Sequence, residues 1–345
     1  MKRILIFLSI QMMIFDMVLA QATVKRDPTD AVYYLKNEKI TLGVLPDVGG
    51  RVVLLKLNKG NNVLKSDEAL WNEPKAQRAK PIPKANFKAY NGQIVWVGPQ
   101  SEWWLHQDVN KPRKTNKAIW PPDPYLEYGS YKVDKHLENY IKMSGPQSRV
   151  TGLTLVKEIT LNEDNSVTFT VTARNIRTAP VYWDLWLNAR MQGSDRFYVP
   201  VEQSGILRIE QDEEKNEKME SEILDGYFTF SNLPPVSKKK AKNAKAFLTP
   251  NAGYLAGFNK DACLVIEFEM YEPDLAHKEQ AMVEIYKHVS RKGVNDLLEL
   301  EYHTPYQKIM PNETLKTTQT WRLYEYEGKP TSQEEISFLK SVIKQ

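Results

Sequence analysis

Near the C-terminal end of the chain, Glu299, Glu301 and His303 interleave with Leu298, Leu300 and Tyr302. Successive side chains of an extended strand point to opposite faces, so the two carboxyls and the imidazole share one face. A carboxylate beside an imidazole can take one proton while another is delivered, provided the two pKa values are held apart. Asp184, Trp186, Asn188 and Arg190 share a second such face. There Arg190 could grip a carboxylate, such as that of a uronic acid, by a two-pronged contact. It could equally close an ion pair with Asp184 or another acid. A third concentration is Pro99–His106, where Gln100, Glu102, Trp103, Trp104 and His106 fall within eight residues and Trp96 and Trp120 stand nearby. Rings flanked by an amide and a carboxylate make a platform for the apolar faces of sugars. Trp103 or Trp104 would serve equally well as a plug in a hydrophobic core.

Other chemistries lack their sequence patterns. The five histidines, His106, His136, His277, His288 and His303, include no pair at zinc-ligand spacing, and Cys263 is the only cysteine. No metal and no cofactor is therefore expected. Glu299 and Glu301 could hold calcium, but no calcium-loop signature accompanies them. Gly49-Gly50 is not followed by the Lys and hydroxyl of a phosphate loop, and the Gly-x-Ser-x-Gly elbow of hydrolases is missing.

The elements that must carry these residues read as strand after strand. Val32–Leu35, Lys39–Val44 and Arg51–Leu57 open the series, and Gly152–Leu161, Ser166–Ala173 and Val181–Ala189 form three consecutive candidates. Gly253–Phe258, Ala262–Met270, Met282–His288, Asp296–Glu301 and Thr314–Tyr326 follow, all rich in β-branched and aromatic residues. Asn162–Asn165 is a polar cluster suited to a tight turn. Only Ser332–Ile343 has a helical pattern, with Ser332 and Glu335 spaced as a capping box. Many strands with one terminal helix predict an all-β fold, a large antiparallel β-sandwich. The stretch Trp71–Trp120, rich in Pro and Trp, reads as a long functional loop.

The N-terminus predicts export. Lys2 and Arg3 precede a mostly apolar run ending in Val18-Leu19-Ala20, the pattern of a secretory signal peptide cleaved before Gln21. Residues 1–20 are thus read as the signal and 21–345 as a single domain. No later stretch is long and apolar enough to span a bilayer, so no stable membrane span is expected after cleavage. A lone cysteine means that export brings no intramolecular disulfide. The formal charge of +4 is too small to argue for a nucleic-acid partner. The lysines at 238, 239, 240, 242 and 245, following Pro234-Pro235, read as a solvated loop.

The run Leu45-Pro46-Asp47-Val48-Gly49-Gly50-Arg51-Val52-Val53, with Gly60-Asn61-Asn62-Val63-Leu64 after it, resembles the opening of the galactose mutarotase-like superfamily. Glu299–Pro305, then Met310-Pro311-Asn312-Glu313-Thr314 and Trp321, resembles its closing signature. The paired strands between Gly152 and Asn175 fit its rhythm, and the likeness spans roughly residues 30–327. The closest resemblance is to an exported bacterial branch of that clan known as a domain of unknown function. The resemblance implies a supersandwich whose concave face binds sugar, with a Glu as base on the anomeric hydroxyl and a His as acid on the ring oxygen. Glu301 falls at the position of the base, with His303 as a possible partner. Arg51, Trp96, Gln100, Trp103, Trp104, His106, Asn188, Arg190 and Glu299 are the candidate sugar-binding residues. The acid His of the aldose 1-epimerases would fall near Leu187–Ala189, where there is none, and their binding Arg has no counterpart in Gly92–Gln100.

Three functions follow from these readings. A carbohydrate-binding module is favoured by retained scaffold motifs beside missing catalytic ones, with a mono- or oligosaccharide as partner. A carbohydrate-active enzyme, whether epimerase, lyase or hydrolase, would use Glu301 with His303 or His106. A purely structural protein is the third. Ordinary mutarotation is expected to be weak, because neither the amide of Asn188 nor the guanidinium of Arg190 is an efficient acid.

Overall fold

The computed structural model describes residues 31–343 apart from 238 and 294; residues 1–20, read above as a signal peptide, lie outside them. Alternation decides the clearest strands. Leu153–Leu161 and Val167–Asn175 bury every second side chain, with mostly polar residues between. They are joined at the polar cluster read as a turn, where Asn165 takes a left-handed φ of 65°.

The strands run in chain order as follows. The first half holds β1 Tyr33–Lys36, β2 Ile40–Leu45, β3 Arg51–Leu57, β4 Gln93–Gly98, β5 Lys132–His136, β6 Tyr140–Ser144, β7 Leu153–Leu161, β8 Val167–Asn175, β9 Val181–Met191 and β10 Arg196–Pro200. The second half holds β11 Ile206–Glu210, β12 Ser221–Leu224, β13 Tyr227–Phe230, β14 Lys242–Leu248, β15 Tyr254–Phe258, β16 Ala262–Phe268, β17 Val283–Val289, β18 Leu297–His303, β19 Gln307–Ile309 and β20 Thr314–Glu325. They form two ten-stranded antiparallel sheets. The first runs β1-β2-β3-β4-β9-β18-β17-β14-β11, with β19 beside β9; the second runs β12-β13-β10-β15-β16-β20-β8-β7-β6-β5. The expected all-β sandwich is present.

The sheets meet through apolar faces. Leu298, Leu300 and Tyr302 of β18 lie in the main core with Leu155, Val171 and Trp321 of the second sheet. Gly257 of β15 is pressed against Met191 and Leu300, and an added Cβ would stand 2.3 Å from the Met191 sulfur. Any side chain there would make Met191 and Leu300 move aside.

Two expectations need correction. Residues 71–120 are not a structureless loop: Ile94-Val95-Trp96-Val97 forms the middle of β4, inserted between β3 and β9. The prolines around this run masked a short strand buried on both faces, where alternation gives no signal. The C-terminal helix spans Ser332–Ile343 as expected, but Glu335 does not cap it. Its carboxylate accepts from Tyr198 Oη at 2.6 Å and Arg196 Nη1 at 3.1 Å, tying the helix to β10. Three short helices, Glu68–Trp71, Lys111–Thr115 and Pro124–Tyr128, add to the terminal one. Among the described residues no helix is long and apolar enough to cross a membrane.

Candidate functional site

On the face of the first sheet turned away from the core, strand register assembles a polar band. Glu299, Glu301 and His303 of β18 stand opposite Arg190, Asn188 and Trp186 of β9. On the other side, Glu284 and Tyr286 of β17 stand opposite Glu301 and Glu299. Lys245 of β14 is paired with Tyr286, and Trp96 of β4 with Trp186. Period-two alternation on five adjacent strands thus carries ionisable and aromatic groups from distant parts of the sequence to one surface.

Their contacts are specific. Asn188 Nδ2 donates to Glu299 Oε1 and Glu301 Oε1, each at 3.0 Å. Arg190 holds Glu299 at 2.7 Å. The Lys245 ammonium lies 2.6 Å from Glu284 Oε2 and 2.9 Å from Glu301 Oε2. The second distance is that of an ion pair, yet Glu301 Oε2 has no aligned hydrogen bond. His303 reaches Asp184 through Nδ1 at 3.3 Å and Glu284 through Nε2 at 3.5 Å, and Gln280 bonds its Nδ1 side at 2.9 Å.

Burial sets the protonation of this cluster. It pushes the Glu301 carboxyl up to about 8; Lys245 opposes the rise, and Glu299 and Glu284 add to it. Burial works the same way on Glu284, but Lys245 and His303 outweigh it and hold that carboxyl down at about 2. Desolvation favours neutral His303, yet Glu284 and Asp184 raise it to about 10. Lys245 is likewise raised against its burial by Glu284 and Glu301. Burial and the two neighbouring carboxylates therefore favour protonated Glu301 in this coupled group, while Lys245 and His303 favour ionised Glu284.

A cavity of about 500 Å³ opens over Glu301 and Glu299, walled by Phe87, Trp96, Trp120 and Trp186, with Arg190 and Lys245 at its floor. Glu301, Trp96, Gln100, Arg190 and Glu299 of the sequence candidates line it. Asn188 lies beneath, bonded to both glutamates. His303 shares their sheet face but is sealed off, 1% exposed, and supports Glu284 and Asp184 instead.

The other candidates are elsewhere. Trp103 is a core residue, stacked on Trp186 at 5.8 Å with its indole N–H on Val97 O. Trp104 is fully buried, donates to Pro121 O and carries Arg113 over its ring. His106 is on the outer surface, its side chain 55% exposed, paired with Glu102. Arg51 is completely buried and pairs with Glu127 at 2.8 Å. Both Trp103 and Trp104 plug the interior because a flat apolar ring follows the core when its N–H finds a backbone carbonyl.

Sequence reasoning missed Lys245 and Glu284 as site groups, whereas Trp120, read as a neighbour of the aromatic platform, does line the cavity. Lys245 was assigned to a solvated loop, whereas it lies on β14 with its side chain 20% exposed. The signal was present: Ala244, Ala246 and Leu248 alternate with Asn243, Lys245 and Phe247. The neighbouring lysines drowned it.

Glu284, Glu301 and His303 offer ligand atoms within 4.8 Å of one another, the arrangement a metal ion needs. The Lys245 ammonium already stands at ion-pair distance from both carboxylates, so a cation would have to displace it.

No curated protein matches the chain in sequence. Solved structures match over most of its length. A galactose mutarotase-like protein from Lactobacillus casei ATCC 334 superimposes with a TM-score of 0.54 at 8% identity, covering 85% of this chain and 100% of that one. The Slr1438 protein from Synechocystis sp. PCC 6803 gives 0.53 at 10% identity, covering 86% and 96%. A galactose mutarotase-like protein from Clostridium acetobutylicum gives 0.51 at 11%, covering 85% and 95%. At such identities the likeness is one of fold, and that fold is galactose mutarotase-like. The chain belongs to the family described as Domain of unknown function (DUF4380), whose model matches residues 32–324.

Proposed function

We propose that the protein is an exported carbohydrate-binding protein and that the cavity over Glu301 is its sugar site. One observation carries this reading: the fully buried carboxyl of Glu301, with Lys245 and Arg190 beside it, lines a cavity walled by five aromatic side chains. Aromatic faces suit the C–H faces of a pyranose, and a polar floor suits its hydroxyls. The mutarotase-like fold supports the same ligand class. Export rests on the Lys2-Arg3 and Val18-Leu19-Ala20 pattern; mass spectrometry of the recovered protein should find Gln21 first, and an intact Met1 on membrane-recovered protein would contradict it. A glycan array probed with the mature chain, followed by calorimetry, tests the site. Failure to bind any glycan would overturn the reading.

A second reading, a carbohydrate-active enzyme, is favoured by the separation between Glu301 at about 8 and Glu284 at about 2. Below about pH 8 Glu301 enters as an acid rather than a base. Activity that depends on this proton should fall as pH rises through about 8 and vanish in Glu301→Gln. Standard mutarotation is expected to be weak: the inward residue of the Leu187–Ala189 stretch is Asn188, already donating to both glutamates. Polarimetry of fresh α-glucose and α-galactose checks this. Rapid equilibration lost in Glu301→Gln would reverse it.

A further inference from the structure

The cavity over Glu301 does not end at Trp186. A second cavity of about 510 Å³ adjoins it, and Gln100, Trp186 and Lys245 line both. Its own wall includes Ser101, Arg208, Phe247, Lys278 and Gln280. The Arg208 guanidinium stacks 3.3 Å from the centre of the Phe247 ring, making a flat surface that is cationic as well as aromatic.

Polar side chains line each cavity and their junction: Glu301, ion-paired with Lys245 at 2.9 Å, lines the first, Gln280 the second, and Lys245 both. In the second, Gln280 is 7% exposed; one end of its amide bonds His303 and the other has no partner. Adjoining cavities that share a tryptophan wall suit a ligand of linked units better than a single ring. A single sugar ring held in the first cavity leaves the Arg208–Phe247 surface and the Gln280 amide of the second uncovered.

We propose that the site binds an oligosaccharide of at least two units, one in each cavity, with the glycosidic linkage crossing over Trp186 beside Lys245. This rests on the carbohydrate reading above and adds the length of the ligand. A linked pair of pyranoses presents a ring and hydroxyls on each side of its linkage, and each cavity offers an aromatic face and polar side chains to meet them.

The test is calorimetry on the mature chain with the mono-, di- and trisaccharide of whichever sugar series binds on the glycan array. The disaccharide should bind about 10-fold tighter than the monosaccharide, or better, and the trisaccharide should add little. Ser101→Trp, which fills the second cavity, should abolish the disaccharide gain and leave monosaccharide affinity within about twofold. Retained monosaccharide binding then certifies its fold. If that variant loses all binding, Arg208→Ala replaces it and must weaken only the disaccharide. Equal affinities for mono- and disaccharide, or a gain untouched by these variants, would overturn this inference and leave the carbohydrate reading standing. A chain that binds no glycan of any length overturns both.

Discussion

Arg51, Glu127 and Lys157 bury their charges as Glu301 and Glu284 do beside the partly exposed Lys245, but the two clusters differ in what their polar atoms find. In the first, Arg51 donates to Val48 O, Asn91 O, Glu127 O and Glu127 Oε1 at 2.6 to 3.0 Å. The other Glu127 oxygen accepts from Trp96 Nε1 at 2.7 Å. Lys157 donates to the carbonyls of Gly49 and Gly50, whose left-handed turn, with φ of 72° and 54°, aims them at it. This cluster is fully served by protein atoms and has nothing to offer a ligand. In the second, Glu301 Oε2, Trp186 Nε1 and Asn188 Oδ1 are left without hydrogen bonds beside a cavity. Burial and charge are thus common to scaffold and site. The unsatisfied valence beside open space separates them. The clusters are also coupled, because Glu127 fixes Trp96, a wall of the cavity.

The largest effect should come from breaking the satisfied cluster. Glu127→Ala leaves the Arg51 guanidinium without its counter-charge in the interior, and urea denaturation should show a loss of about 3–5 kcal/mol. A loss below about 1 kcal/mol would mean that the three carbonyls suffice for Arg51 and that the ion pair is incidental.

Next come two tryptophans with opposite burdens. Trp103→Ala should cost about 3–5 kcal/mol of stability, as for any large buried ring. Trp120, 46% exposed, should cost stability little when replaced by Ala and weaken sugar binding about 10-fold. Equal effects of the two changes on binding would return Trp103 to the site.

The pH dependence of stability should have opposite signs in the two clusters. Folding raises Glu301 from its ordinary 4.5 to about 8. The folded state then holds more protons, so stability falls as pH rises between those values. Lys157 is lowered by burial from 10.5 to about 7, with Arg51 adding and Glu127 opposing. The unfolded state holds more protons there, so stability rises from about pH 7 to 10.5. Each contribution is on the order of a few kcal/mol. Denaturation at pH 5, 7 and 9 should show Glu301→Gln lacking the fall and Lys157→Met lacking the rise. A Glu301→Gln slope identical to wild type would mean that Glu301 is ionised throughout.

The smallest effect is expected at His106. His106→Ala should change stability by less than about 0.5 kcal/mol and leave sugar affinity unchanged, since its side chain is exposed and away from the cavity. A clear loss of affinity would place the Pro99–His106 run back in the site.

Much of this architecture was legible in the sequence. Alternation in Leu153–Leu161 and Val167–Asn175, with the Asn162–Asn165 turn, marked a hairpin that the structure contains within a residue or so. The Leu298–His303 alternation placed Glu299 and Glu301 on one face, because a two-residue period admits no other arrangement. β4 was not legible, since a strand buried on both faces has no alternation to read and prolines flank it.

What the sequence determined by itself was therefore local: where the most regularly patterned strands lie, which face of those strands is polar, and that Glu301 is presented opposite to Leu298, Leu300 and Tyr302. Which polar faces become neighbours was decided only by the order β4-β9-β18-β17-β14, which brings residues 96, 188, 245, 284 and 301 together. Lys245 looks like any solvated lysine until Glu284 and Glu301 close on it from adjacent strands. Arg51 looks like a ligand clamp until Glu127 meets it from 76 residues away. The physical reason is that a side chain's charge state and accessibility depend on what lies across the strand register and above the sheet, and loop length along the chain leaves that pairing open.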